Sequence, residues 1–346
     1  MRPIAFAFAG SLETPTGGYR YDRRVIDELE RFGHCVLPVR LGDGFPNPDA
    51  ATVAAAEAKL DRLALHMPII IDGLAYGVMG KAIGRLARYR PLLPLVHHPL
   101  ALETGLTPAR VVALTWAERL ALRHGKAVIV TSPATADLLV ERYDVPRERI
   151  TVALPGVDRP LPRPRLPGER FRFLTVGSLI PRKGHMDLIA AFGRLRDLDW
   201  EAQIIGDNGL DPMHAAQVAA DIAARGLADR IALFGALSEE ALAERYGDAD
   251  CFVLASHYEG FGMAYTEAMV AGLPVIGTTG ASQAIGDGGI LIEPGDVDRL
   301  ADLLRGIMTD PGLRADLLER ERLRASQFNS WRDTARVISR LIQSLP

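Results

Sequence analysis

One pattern dominates the chain: a short run of aliphatic and β-branched residues, then a stretch of helical period, over and over, interrupted once by five prolines in PGVDRPLPRPRLPG (155–168). Short, unbroken apolar runs suit strands buried on both faces, and helices between successive strands force those strands into parallel order. In the first half the strands are expected at 4–9, 35–39, 69–71, 92–96, 127–130 and 150–152, with helices near 19–32, 51–65, 76–89, 109–123 and 134–143. The proline-rich stretch resists both helix and central strand and reads as a linker. After it the pattern restarts, with FRFLTVG, EAQIIG, RIALFG, CFVLAS, LPVIGT and GILIE as strands and helices near 184–196, 213–225, 239–247, 262–271 and 297–308. The expectation is an α/β chain of two doubly wound domains, 1–160 and 161–328. A last amphipathic stretch, 331–344, follows FNS as a cap and is expected to cross back, so that 329–346 completes the first domain. Open parallel sheets bind ligands beyond the carboxyl ends of their strands, so the sites are expected to converge on a cleft between the domains.

Composition narrows the function classes. At 346 residues, 48% hydrophobic and 24% charged, the chain suits two soluble domains rather than one core. Cys35 and Cys251 sit in apolar runs and read as buried thiols of a reduced, cytoplasmic protein. The opening MRPIAFAFAG reads as a first strand, not a secretion signal, and no window is apolar for long enough to span a membrane. The formal net charge is −3, and no nucleic-acid partner is expected. The charge is uneven: residues 1–160 carry 20 Lys and Arg against 17 Asp and Glu, and residues 161–346 carry 20 against 26. Between Lys81 and Lys126, eight cations stand against Glu103 and Glu118 alone. Such a segment is either a solvated face or a surface for an anionic acceptor or the inner face of a membrane.

Four stretches carry chemistry. In SHYEGFGMAYTEAMVAGLPV (256–275) a strand passes through a turn into a helix whose first backbone N–H groups, from Gly260 through Phe261 and Gly262 to Met263, lack intrahelical partners and attract an anion. Glu259 and Glu267 flank that opening. A carboxylate repels a bound diphosphate unless it is turned to something else, so both acids are assigned to hydroxyl groups on either side of it, with a helix cap and a surface residue as the structural alternative. In VGSLIPRKGHMDLIAAF (176–192) Arg182 and Lys183 follow a strand end, where a planar fork and a point charge neutralise a diphosphate. In GSLETPTGGYRYDRRVIDEL the Gly17-Gly18 pair before a helix lets backbone approach a ligand closely, but no nicotinamide fingerprint follows. In LPLVHHPLALETG, His97 and His98 end a strand, and no third residue stands at metal-ligand spacing, so no metal is assigned.

Together these stretches resemble the retaining nucleotide-sugar glycosyltransferases of family 4, of GT-B fold. The resemblance rests on E-x7-E (Glu259 to Glu267), on G-S-x-x-P-R-K-G (Gly177 to Gly184), on the Gly-Gly turn and on H-P-L-A (His98 to Ala101). It implies two Rossmann-like domains facing a central cleft, the first on the acceptor side and the second binding the donor. It implies a UDP- or GDP-sugar as co-substrate, no further cofactor, and transfer of a hexosyl-type sugar to an acceptor hydroxyl with retention and without a metal. Glu267 would hold the ribose hydroxyls, Glu259 the donor sugar near its 3-OH, and Arg182 and Lys183 the diphosphate. Gly17 and the amides of Gly260 to Met263 would complete the phosphate cradle, and His98, with His97 as second choice, would meet the sugar's 6-position. Pro155 stands where the family has asparagine, Gln283 where it often has glutamate, and IGDNGLDPMH lacks its commoner Gly-Pro ending, which leaves the base open. A sugar-nucleotide 2-epimerase of the same fold and a non-catalytic sugar-binding protein are the alternatives.

Overall fold

The computed structural model describes residues 3–159 and 170–345. Most of the proline-rich stretch, 160–168, lies outside them. The described chain divides into two compact units, one of residues 1–156 with 329–346 and the other of residues 157–328.

The first unit is a six-stranded sheet of β1 (Ile4–Ala9), β2 (Val36–Gly42), β3 (Ile69–Asp72), β4 (Leu92–Val96), β5 (Val128–Val130) and β6 (Ile150–Val152), in the order β2-β1-β3-β4-β5-β6. Every pairing is parallel. Helices α1 (Gly17–Arg31), α2 (Ala50–Asp61), α3 (Gly73–Tyr76), α4 (Gly80–Leu86), α5 (Pro108–Leu122) and α6 (Pro133–Tyr143) make the connections. All six residues of β1 and all five of β4 are buried, as strands covered on both faces must be.

The second unit repeats the plan with β7 (Phe171–Val176), β8 (Trp200–Ile205), β9 (Ile231–Phe234), β10 (Cys251–Val253), β11 (Val275–Thr278) and β12 (Ile290–Ile292), ordered β12-β11-β10-β7-β8-β9 and again wholly parallel. Its helices are α7 (His185–Phe192), α8 (Pro212–Ala224), α9 (Glu239–Asp248), α10 (Met263–Val270), α11 (Ser282–Ile285), α12 (Val297–Thr309) and α13 (Pro311–Ala325). Buried Trp200, stacked on Phe192 with ring centroids 4.7 Å apart, anchors one face of this core.

The last helix, α14 (Trp331–Ser344), joins the first unit. Ser330 and Asp333 form a capping box at its start, Thr334 donates to the Leu154 carbonyl at 2.7 Å, and His34 bonds Ser339 at 2.8 Å. A side chain at Gly156 would lie 2.2 Å from the Trp331 nitrogen, so only glycine lets the chain pass here.

Three local expectations change. The helix expected at 76–89 is two short ones, because the chain turns at Gly77 close against Glu118, where a Cβ would stand 2.7 Å from the glutamate Cγ. Helix α13 was not expected, although Asp310 caps it and Pro311 opens it, the ordinary signature of a helix start. Cys251 is buried, but Cys35 is exposed, since it precedes an edge strand of which only Val36 and Leu41 are buried. No helix among the described residues is long and apolar enough to cross a membrane.

The strand orders locate the ligand sites. In the first unit the chain leaves β1 for β2 on one side and reaches β3 on the other; in the second it runs β7-β8-β9 one way, then β10-β11-β12 the other. The crevices of such sheets open at these reversals, beyond the carboxyl ends of β1 and β3 and of β7 and β10.

Candidate active site

The two segments at the reversal of the second unit are those that carry Arg182, Lys183 and Glu259. After β7, residues 177–184 cross to the end of β10, and Gly184, with φ +67°, lies where a Cβ would be 1.9 Å from the Ala255 carbonyl. The loop is therefore seated on the neighbouring strand end through a glycine in the left-handed region. The His257 amide donates to the Arg182 carbonyl at 2.8 Å and locks the two loops together.

The side chains converge on Glu259. Lys183 Nζ donates to its Oε1 at 2.7 Å, Arg182 Nη1 stands 3.6 Å from Oε2, and Ser256 Oγ donates to Oε1 at 2.6 Å. Arg182 also donates to the Tyr258 carbonyl at 2.7 Å. Only 8% of the Glu259 side chain is exposed. Burial alone would raise its pKa, but the charges of Lys183 and Arg182 and the hydrogen bonds from Lys183 and Ser256 outweigh burial and hold it below the usual glutamate value. Glu259 is thus an anion between two cations, and the cluster keeps one net positive charge.

Beside it α10 opens from Gly262, which has φ +106° and ψ +51°, and no side chain caps the first turn. The helix begins at Met263, so of the four expected donors Gly260 and Phe261 precede the Gly262 cap position and Met263 alone lies in the first turn. Glu267, one turn on, is half-buried and accepts from Tyr246 Oη at 3.2 Å. Beneath the loop, His185 is wholly buried against His214, and burial, with Lys183 nearby, pushes its pKa down to about 3. It is neutral.

The first unit holds Gly17, Gly18, His97 and His98. Gly17 and Gly18 are the first residues of α1, behind a Thr16 cap, and a Cβ on Gly18 would touch the His97 ring at 3.4 Å. His98 Nε2 bonds Glu103 Oε1 at 2.6 Å. His97 Nε2 bonds Asp22 Oδ1 at 3.2 Å and stands 3.6 Å from Asp72 Oδ2. These three side chains come from α1, the end of β3 and the end of β4, a grouping that spacing along the chain could not reveal. The available signal was an acid, Asp72, closing an apolar strand directly before a glycine.

Charge in this second cluster runs the other way. Burial and then the charge of Asp22 raise the Asp72 pKa, against the pull of His97 and the Leu74 and Gly73 amides, to a net value of about 7. Asp22 is raised by burial against the pull of His97 and Arg23. Burial works against charging His97, but the hydrogen bond and charge of Asp22, with Asp72 behind, hold its pKa above the ordinary histidine value. The two carboxyl groups and one imidazole have the donor set of a cation site, and hydrogen bonds to a proton held among them are the other use of the same atoms. The second unit also contains three D-x-D triplets, at 197–199, 248–250 and 296–298, whose acids make structural contacts: Asp197 pairs with Arg305, Asp199 with Arg170, Asp250 accepts from the Arg172 amide, Asp296 caps α12 and Asp298 pairs with Arg194.

The model for glycosyl transferases group 1 matches residues 161–324, and that for glycosyltransferase family 4 matches residues 14–159. The chain belongs to the group 1/family 4 glycosyltransferases. Within this family it is 28% identical over 314 residues to an MMP alpha-(1->4)-mannosyltransferase of Mycolicibacterium hassiacum, covering 84% of this chain and 74% of that protein. It is 32% identical over 228 residues to a D-inositol 3-phosphate glycosyltransferase of Arthrobacter sp., covering 61% of this chain and 53% of that protein, so it spans about half of this second relative. In fold it is similar to Anabaena HepE solved with UDP and glucose, at TM-score 0.78 and 20% identity over 99% of this chain and all of that one. It has the GT-B fold.

Proposed function

We propose that this chain is a retaining glycosyltransferase that moves a hexosyl-type sugar from a UDP- or GDP-sugar to an acceptor hydroxyl. The observation that carries this reading is the cluster of Lys183, Arg182 and Glu259 at the strand reversal, next to the uncapped start of α10. Two cations and a helix N-terminus provide more positive charge than one carboxylate cancels, which suits a diphosphate. The solved relative that holds UDP and glucose supports a nucleotide-sugar donor, and the D-inositol 3-phosphate glycosyltransferase supports a polyhydroxylated or phosphorylated acceptor.

In this reading Lys183 and Arg182 bind the diphosphate with the amides from Gly260 to Met263. Breaking the anomeric C–O bond leaves positive charge on the sugar and negative charge on the departing phosphate. Donors fixed on the phosphate therefore stabilise the transition state more than the ground state. The acceptor oxygen attacks on the face the phosphate leaves, and its proton passes to the leaving phosphate oxygen. Glu259 holds Lys183 in place and receives sugar hydroxyls, while Glu267 receives those of the ribose. His98 is the sugar-facing histidine, because the Nε2 of His97 is already taken by two buried carboxyl groups whereas Glu103, the partner of His98, keeps 35% of its side chain exposed and can be displaced. No metal step is assigned. The acceptor is anionic or lipid-linked, the site of action cytoplasmic, at or near the inner face of a membrane.

The test is thermal shift and titration with UDP- and GDP-sugars. One of them should bind saturably, and Lys183→Ala should weaken it by about 2 kcal/mol, a lost charge-assisted contact. Unchanged affinity in that variant would count decisively against the site. Consumption of donor with no acceptor present would mark an epimerase instead.

A further inference from the structure

Helix α5 carries on its outward side Val112, Trp116 and Leu120, spaced by four residues and so aligned in one stripe, with 57%, 54% and 48% of their surfaces exposed. The adjoining row, Ala113, Leu114 and Ala117, forms one wall of a trough of about 650 Å³ whose other walls come from α2 and from Lys81 and Arg85 of α4. Three large apolar residues in a row on a helix of a soluble fold mark a surface that is covered in use.

Charge identifies the cover. Both acids of the basic segment are withdrawn from this face: Glu118 is buried with its carboxylate on the Leu100 amide at 2.9 and 3.0 Å, and Glu103 is bound to His98. Of the acids that neighbouring elements contribute, Glu57 is held by Arg85, Asp61 by Arg90, Asp144 by Arg119 and Arg123, Asp137 of α6 by Arg147, and Asp49 caps α2, while Glu141 of α6 is exposed. Lys81, Arg88 and Lys126 are exposed and pair with no carboxylate among the described residues. Arg119 lies over the Trp116 ring at 5.4 Å, so a cation and an indole share the edge of the stripe.

We propose that the outward face of α5, with the cations around it, docks on an anionic lipid bilayer. Apolar side chains in a row, a tryptophan at their middle and unpaired lysine and arginine at the margins are what a helix lying in a bilayer interface presents. A second copy of the chain is a poorer partner, because a two-fold contact would set this positive face against itself. A soluble phosphorylated ligand would use the cations and leave the stripe in water. The inference deepens the reading of a lipid-proximal enzyme, but it is tested without donor or turnover, so either can fail alone.

Trp200 and Trp331 are buried, so a change in tryptophan emission on adding vesicles reports Trp116. Vesicles of phosphatidylcholine with phosphatidylglycerol should shift the emission to the blue and sediment the full chain, and salt should reverse both. Replacing Lys81, Arg88 and Lys126 together by Gln should weaken binding roughly 100-fold, each cation near an anionic surface contributing about 1 kcal/mol. Trp116→Ser with Leu120→Ser, both at exposed positions, should abolish sedimentation and leave the thermal transition in place. The proposal is overturned if anionic vesicles produce no shift, if phosphatidylcholine alone binds as well, if the serine variant still sediments, or if light scattering shows a dimer that this variant dissociates.

Discussion

At the end of β10 a carboxylate, Glu259, lies between two cations; at the end of β3 a carboxyl, Asp72, lies beside a second carboxyl and a histidine. Each follows a strand that flanks its sheet's reversal, and both are nearly closed to water. One is held below the ordinary pKa and the other is raised to about 7. The difference teaches that burial fixes how much a charge costs, while the neighbours decide whether it is kept. The second unit keeps its charge and can exchange an internal anion for a ligand's. The cluster around Asp72 holds a proton and offers a ligand no surplus cation of its own.

The largest expected effect breaks the second cluster. Glu259→Gln removes the internal anion, so Lys183 and Arg182 face a nucleoside diphosphate unopposed, and binding should be equal or tighter. Transfer should fall roughly 100-fold or more, because the ammonium loses the partner that positions it. Normal turnover in this variant would remove the role given to Glu259, and weaker diphosphate binding would reverse the charge argument.

A smaller effect sharpens the contrast from the other side. A carboxyl that titrates at about 7 in the folded chain and near 3.8 when unfolded holds a proton the unfolded chain has released. Its contribution to stability is therefore greatest at or below pH ~4 and declines as pH climbs to ~7. His97 acts in the same direction: its pKa is raised, so the stability it contributes declines as pH rises through the folded value. Asp72→Asn stays neutral and can still cap Leu74. Relative to the unaltered chain it should gain stability between pH 5 and pH 8, on the order of 2 kcal/mol in urea unfolding. A difference independent of pH would show that the cluster holds no such proton.

Much of this was legible in the residue order, and what was not had a physical reason. Strand runs such as 4–9 and 92–96 were read to the residue because parallel strands buried on both faces have unbroken apolar sequence. The loop of Arg182 and Lys183 and the acid at Glu259 were legible as separate motifs, but their convergence on one carboxylate was not, since it depends on β7 and β10 being neighbours although three α-helices and two strands separate them along the chain. Asp22 and Asp72 were missed for the same reason, compounded by their appearance as ordinary polar residues on a charged helix and a strand end. The exposed stripe of α5 was hidden because its apolar residues follow the same spacing as a core face, and only packing distinguishes the side that is covered.

A third buried carboxyl separates the two terms in the comparison. Glu321, on α13, is 2% exposed and leaves Oε2 without a hydrogen-bond partner among the described residues. Burial alone pushes its pKa up to about 9. From the ordinary value of 4.5 to about 9, the folded chain must hold a proton that the unfolded chain gives up, so the residue costs stability increasingly as pH rises through that window. Glu321→Gln preserves shape and has no proton to hold. It should change little at pH 5 and stabilise the chain at pH 8, by on the order of 2 kcal/mol, a rise of a few degrees in Tm. A neutral result at pH 8 would mean that water or movement relieves this carboxyl. Burial could then no longer be called the main cause of the raised pKa at Asp72 either, and the contrast between the two clusters would rest on Asp22 alone.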